Sequence, residues 1–373
     1  MTATTTKDMQ DATGAKHATG ATGGRGAAGV PLRALRGPGR TSLRVEPRAV
    51  AAGVVLVVVA LALAVVLIGT GDFEIAPWDV VRTLLGNGNP ADDFIVNDLR
   101  LPRVLVAVLV GAALGMAGAV FQSVSRNPLG SPDVLGFGYG SAVGALVVII
   151  LFKGGATEVA AGAVVGGVLA GVLVYLLAYK QGVHGYRLVL VGIGSSAVLV
   201  AVIQYLIAKA QLVDATRAMV WLTGSLAGRD WSQVWPLLGT CAVLFPLVLG
   251  QNRALRMIEM GDDSAYALGV PVERTRMLLM AAAVLLTTAA AAAAGPISFV
   301  ALAAPQLARR LTRSPGPNLL SGALMGAVLL LAADLASQRA FGADQLPVGV
   351  VTGLVGGLYL LWLLVTERKA GRI

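Results

Sequence analysis

Long apolar runs recur along the chain with only short polar connectors between them. They cover approximately residues 50–69, 102–122, 134–152, 157–178, 187–208, 232–250, 276–294, 297–308, 319–337 and 346–366. A helix rising about 1.5 Å per residue needs about 20 apolar residues to cross a bilayer. The run at 297–308 is too short to span fully by itself. A membrane β-barrel would instead show weakly alternating strands of about ten residues, and these runs are unbroken. The pattern predicts an all-α integral membrane protein of about ten transmembrane helices.

Residues 1–48 have no hydrophobic period and are rich in Ala, Gly, Thr, Lys and Arg. They read as a disordered basic tail ahead of a membrane domain over 49–373. Tail plus residues 50–68 resembles a long signal peptide, but the tail is too long and the apolar stretch exceeds a usual h-region. It is taken as an uncleaved first span. "GRGAAG" at 24–29 matches a dinucleotide-binding fingerprint, yet no strand precedes it, so it is a chance match.

Composition agrees with a membrane chain. Of 373 residues 56% are hydrophobic and 13% charged, against about 25% charged in soluble domains. The net charge of +9 raises nucleic acid as a partner, but its distribution fits topology instead. With the N-terminus inside, 21 of the 29 Lys and Arg residues fall in inner segments and 8 in outer ones. Without the tail the balance is still 13 to 8. This predicts both termini in the cytoplasm, an even number of spans, and some attraction to anionic membrane lipid. One cysteine, Cys241, and two histidines, His17 and His184, leave no disulfide framework and no cysteine or histidine metal site. No cofactor is expected in this chain.

The 47 glycines include Gly-x-x-x-Gly pairs inside the runs, such as Gly111/Gly115, Gly140/Gly144, Gly162/Gly166 and Gly349/Gly353. Small residues one turn apart let helices approach closely in lipid. They speak to packing and not to function.

Buried charge is the usual mark of an ion-coupled carrier. Here 188–208 and 277–308 hold none, and Asp334 is the one carboxylate well inside a run, near its outer end. Gln122, Gln204, Thr287 and Thr288 could line a path or bond between helices. No phosphate-binding Gly-x-x-x-x-Gly-Lys-[Ser/Thr] loop occurs. A pump of this kind must take its energy from another chain, through its cytoplasmic loops. The longest inner loop, 251–276, contains "GDDSAYALG". Asp262, Asp263 or Ser264 can cap a short helix over 264–268, Gly269 can end it, and Pro271 breaks the chain. In "SRNPLGSPDVLG", 125–136, Asn127 before Pro128 stops one helix and Pro132 can begin the next.

The ordered series "LRLPR" (99–103), "GAVFQSVSRNPLGSPDVLGFGYGSAVG" (118–144), "WLTGSLAGRDW" (221–231), "GDDSAYALGV" (261–270), "GPISFVALAAPQLARRL" (295–311), "AADLASQR" (332–339) and "LPVGVVTGLVGG" (346–357) resembles the permease subunits of the iron-siderophore and vitamin B12 ABC importers. The resemblance runs from about residue 50 to the end. It implies a type II ABC importer permease fold, working as a homo- or heterodimer with a second permease subunit. Two cytoplasmic ATPase subunits would bind the ATP and magnesium, and an extracytoplasmic substrate-binding protein would deliver the cargo. The chain itself would be no enzyme. The resemblance places ATPase coupling at Gly261, Asp262, Asp263, Ser264, Ala265, Leu268 and Gly269. It places binding-protein docking at Arg100 and Arg103 of "LRLPR" and at Arg339, and an inner turn or gate at Arg126, Asn127, Pro128 and Pro132. The chain departs from the family at Gln338, which stands where a docking arginine usually sits, and at Gln306, which stands where the family has histidine after proline. The expected cargo is a ferric siderophore, moving along the dimer interface between small and weakly polar side chains. A cobalamin or haem permease is the alternative within the class, and an ion-coupled secondary transporter the alternative outside it.

Overall fold

The computed structural model describes residues 33–36, 42–45, 47–71, 73–133, 135–179, 185–340 and 345–369. Lys180, His184 and Arg372, used in the charge and metal arguments, lie outside them. The chain forms two units, Met1–Val45 and Glu46–Ile373. In the first, β1 (Arg33–Arg36) pairs antiparallel with β2 (Ser42–Val45), Arg33 opposite Val45. This departs from the expected absence of regular structure there. Four-residue strands are too short to register as a sequence period, and a lone two-stranded ladder is marginal in water. The rest of the 1–48 expectation lies outside the described residues.

The second unit is helical. It begins with α1 (Pro47–Gly69), α2 (Pro77–Leu84) and the short α3 (Pro90–Asp93). From α3 the chain runs through wide π-helical turns at Phe94–Arg100 into α4 (Leu101–Ser125). Then come α5 (Phe137–Val147), which ends in π turns at Val148–Phe152, α6 (Ala156–Ala178), α7 (Gly185–Lys209) and α8 (Leu212–Leu222). They are followed by α9 (Trp231–Gly250), α10 (Asn252–Glu259), α11 (Asp262–Ala267) and α12 (Val272–Ala294). The last three are α13 (Val300–Thr312), α14 (Leu319–Arg339) and α15 (Val348–Lys369). Among the described residues seven helical stretches are long and apolar enough to cross a membrane: α1, 90–125, α6, α7, α9, α12 and α14. Phe137–Phe152 and Val348–Trp362 are shorter apolar helices. With 13 residues, α13 is a half-length helix, as its short apolar run predicts.

The centre of the bundle is α4, buried without interruption from Val110 to Val124. Around it pack α12, α13 and α14. Glycine explains the closeness. A Cβ on Gly111 would strike the Gly326 carbonyl, and one on Gly115 the Gly322 carbonyl, so α4 and α14 cross backbone to backbone. The pairs Gly140/Gly144 on α5 and Gly162/Gly166 on α6 interlock in the same way. Such contacts replace the hydrophobic drive that lipid does not provide.

The 125–136 stretch is more than a turn between helices. Arg126 ends α4 with φ at 52°, and the Asn127 side chain accepts the Leu129 N–H at 2.9 Å. Pro132 does not begin a helix; the chain continues to Phe137 before α5 starts. On the way it turns back into the bundle. Gly192, two turns into α7, abuts Leu135, and Gly136 abuts Ser196. That return explains why α5 is short. A second break joins three helix ends: Ser225 N donates to Ala294 O at 2.8 Å and Gly349 N to Gly224 O at 3.0 Å.

Candidate functional site

Helices α4, α9 and α13 end, and α12 and α14 begin, at one pole of the bundle. Arg126, Arg256, Arg276, Arg309 and Arg313 gather there, and it is called the basic end below. The 251–271 loop folds on it as α10 and α11. Gly261 (φ 124°) and Gly269 (φ 80°) bracket α11 in conformations that side chains rarely adopt. The helix starts at Asp262, two residues before the expected 264. Its carboxylate does not cap it, because arginines claim that group. Arg276 Nη2 donates to both Asp262 oxygens at 2.9 and 3.1 Å, and Arg126 Nη2 lies 3.6 Å from Oδ1. Arg276 is nearly buried and also bonds Glu273 at 3.1 Å. Ala265 is fully buried and anchors α11 inward; Asp263, Ser264, Leu268 and Gly269 face out. Large apolar side chains are exposed here as well: Met260 at 68%, Tyr266 at 53% and Leu268 at 59%.

The structure thus joins two groups of residues read separately from the sequence. Arg126 of the inner turn holds Asp262 of the loop. Gln306 completes the link: its Nε2 donates at 2.8 Å to Gln122 Oε1 on α4 and at 2.8 Å to the Pro128 carbonyl. Gln122 Nε2 in turn donates to Leu302 O at 3.0 Å. Farther along α13, Arg309 lies 3.7 Å from Glu259 of α10. The half-helix α13 is therefore tied to the loop, to α4 and to the inner turn at once. The amide at 306 makes these bonds without charge.

At the opposite pole, Arg100 and Arg339 reach the end of α1 and the segment after it, while Arg103 turns to α14. Arg100 donates to the Ile68 and Phe73 carbonyls, both at 2.6 Å, and straps the α1–α2 loop. Arg339 is exposed and donates to Thr70 Oγ1 at 2.9 Å. Arg103 points inward to the fully buried Asp334, with Nη2–Oδ1 at 2.7 Å and Nε–Oδ2 at 3.2 Å. Gln338 Nε2 adds a bond to Oδ2 at 2.9 Å. Glutamine at 338 thus adds to the shell of a buried carboxylate. Pairing, not catalysis, accounts for Asp334.

Between the poles a cavity of about 470 Å³ is lined by Leu114, Asp133, Tyr139, Gln204, Thr287 and Ser298, among others. Leu114 lies midway along α4, so the cavity sits at mid-depth. Asp133 is a residue the sequence reading missed. Its carboxylate accepts the Phe299 N–H at the start of α13. No pattern in the sequence distinguishes a connector that turns back from one that stays at the surface.

The comparisons with known proteins agree with this architecture. A family model described as the FecCD transport family matches residues 55–366. The chain is 45% identical over 300 residues to the ferric enterobactin transport system permease protein of Escherichia coli K12, covering 80% of this chain and 91% of that protein. It is 38% identical over 332 residues to the Fe(3+)-citrate import system permease protein of Bacillus subtilis 168, covering 88% and 99%. A solved structure, described as an inward-facing conformation of a metal-chelate type ABC transporter, matches with a TM-score of 0.74 and 26% identity over 86% of this chain and 99% of that one. The helical bundle, its broken helices and these matches together place the chain in the FecCD transport family, as a membrane permease and not an enzyme.

Proposed function

We propose that this chain is the permease subunit of an ABC importer for a ferric siderophore. The basic end faces the cytoplasm, both termini lie there, and the 261–269 loop receives the ATPase. The observation that carries this reading is the loop itself. Exposed Met260, Tyr266 and Leu268 offer an apolar contact, and Asp262 ties that contact through Arg126 and Arg276 to the bundle. An exposed apolar cluster on a charged surface fits a protein partner. A push on α11 reaches α13 and the inner turn through ion pairs and the Gln306 amide, so ATP binding in the partner can move the mid-depth cavity's floor. Mid-membrane breaks in the helices give such a bundle places to hinge. The chain makes and breaks no covalent bond; ATP and magnesium belong to the ATPase. A second permease subunit completes the pathway.

Asp263→Lys, which reverses charge on the exposed face of α11, is expected to lower ATPase association or transport-coupled hydrolysis while the chain still reaches the membrane. Co-purification of the two subunits measures this, and unchanged association with unchanged coupling contradicts the loop assignment. At the other pole, Arg339 is the exposed member of the arginine group. Guanidinium suits paired contact with a carboxylate on a delivery protein. Arg339→Glu is expected to weaken that docking with ATPase assembly intact, as read by binding-protein pull-down; undiminished docking removes Arg339 from the interface. The cargo is tested by uptake of labelled iron chelates, against labelled cobalamin, in cells with and without this chain. Loss of iron-chelate uptake alone is the expected result, and loss of cobalamin uptake alone would overturn the cargo.

A further inference from the structure

A second crevice lies away from the pathway, on the flank of the bundle. It measures about 660 Å³ and runs between α6 and α9 over the face of α12. Sequence explains the space. Residues 287–294 read TTAAAAAA, and Ala289, Ala292 and Ala293 form the floor, so α12 keeps its helix but leaves the groove unfilled. The walls descend from Thr157 to Val164 on α6 and from Ser232 to Thr240 on α9. At about 1.5 Å per residue, that is roughly 10–12 Å below the helix ends away from the basic end.

The crevice is polar at its mouth and apolar below. Arg217, Arg229, Ser232 and Gln233 stand at the top. Arg217 Nη2 donates to Gly154 O at 2.8 Å and Arg229 Nε to Ser225 O at 3.1 Å, which fixes both side chains at the rim. No carboxylate lines it among the described residues. Two acids beside the mouth are occupied in helix caps: Glu158 accepts the Gly155 N–H at 2.6 Å, and Asp230 accepts the Ser232 N–H at 2.7 Å. Burial pulls Arg229 below the ordinary arginine range, with Asp230 acting against that. Exposed Arg217 and part-buried Arg229 at the mouth of a crevice that no carboxylate lines make a site for an anion. An anion attached to an apolar chain that reaches about 10 Å inward is a phospholipid, at the depth where its headgroup and upper acyl segment lie.

We infer that this crevice binds an anionic phospholipid of the leaflet away from the basic end, with its phosphate on Arg217 and Arg229 and an acyl chain along Ala289 and Ala293. The occupant is structural and does not depend on the cargo.

The test uses the full-length chain, purified in detergent, with phosphatidylglycerol or phosphatidylcholine added and retained lipid counted by native mass spectrometry. Phosphatidylglycerol is expected to be retained at least about tenfold over phosphatidylcholine, a gap of about 1.4 kcal/mol. Arg217→Gln with Arg229→Gln is expected to erase that preference. Ala293→Leu, which fills the floor and leaves both arginines, is expected to reduce retention of both lipids. Excess inorganic phosphate is expected not to compete, since it lacks the chain. Equal retention of the two lipids by the wild type, an unchanged preference in the double variant, unaffected retention in Ala293→Leu, or full displacement by phosphate each overturns the inference. Folding of each variant is checked by its melting temperature, and Arg82→Gln, an exposed arginine outside the crevice, serves as the charge control that leaves the preference intact.

Discussion

Arg103→Met is expected to destabilise the permease by about 3–5 kcal/mol, the usual cost of stranding one member of a buried ion pair. Asp334 is fully buried, and Arg103 supplies two of the bonds that hold its charge. With the guanidinium gone, only the Gln338 amide and polarity of the local backbone oppose desolvation of the carboxylate. The double variant Arg103→Met, Asp334→Leu removes both charges. It is expected to recover most of the loss, since apolar replacement of a whole buried pair is often neutral or better. It will not recover all, because Gln338 loses its acceptor. Thermal melting of the purified chain in lipid nanodiscs reads both variants. If the double variant melts as low as the single one, Arg103 is contributing through contacts other than this pair.

Gly144→Leu is expected to be at least as damaging. A Cβ at 144 would strike the Gly162 carbonyl, which is backbone and cannot rotate away. The α5 and α6 helices must then separate, with loss of an interlocked contact that lipid does not replace. Overpacking of a close core costs about 1–3 kcal/mol and occasionally more, and a backbone obstacle that cannot rotate away puts this site above that range. Gly353→Leu is the control: a Cβ at 353 meets nothing within 4 Å. The expected outcome is little or no membrane-inserted, folded chain for Gly144→Leu and near-normal yield for Gly353→Leu, measured by detergent-solubilised expression and size-exclusion profile. Equal behaviour of the two contradicts the packing assigned to Gly144.

Those two glycines also show how far the sequence could be read. Both sit in the same four-residue spacing, and the spacing identified close helix packing without saying which glycine faces a neighbour. Gly349 lies against the Thr223 carbonyl, one turn from the open Gly353. Helix positions followed from hydropathy, because apolar runs in a membrane chain leave the backbone few other ways to satisfy its hydrogen bonds. Burial did not follow. The still more apolar α1 lies largely exposed on the bundle's surface while α4 is its core, since Leu and Val serve lipid contact and protein contact alike. Asp262 and Arg126 were each legible as residues of polar connectors; their pairing across 136 positions of chain was not, because it depends on where α4 and α11 deliver them. Asp133 was hidden by a connector that turns back into the bundle, and Arg103 by an ion pair with a residue far along the chain.

The account's central claim is that this bundle carries no energy source of its own. The direct measurement is accumulation of a labelled ferric chelate by vesicles containing the chain together with its ATPase, its second permease subunit where that differs, and its binding protein. Concentrative uptake that requires ATP inside the contact face, and no uptake by the chain alone under a proton or sodium gradient, is the predicted result. Gradient-driven accumulation by the chain without ATPase would contradict it.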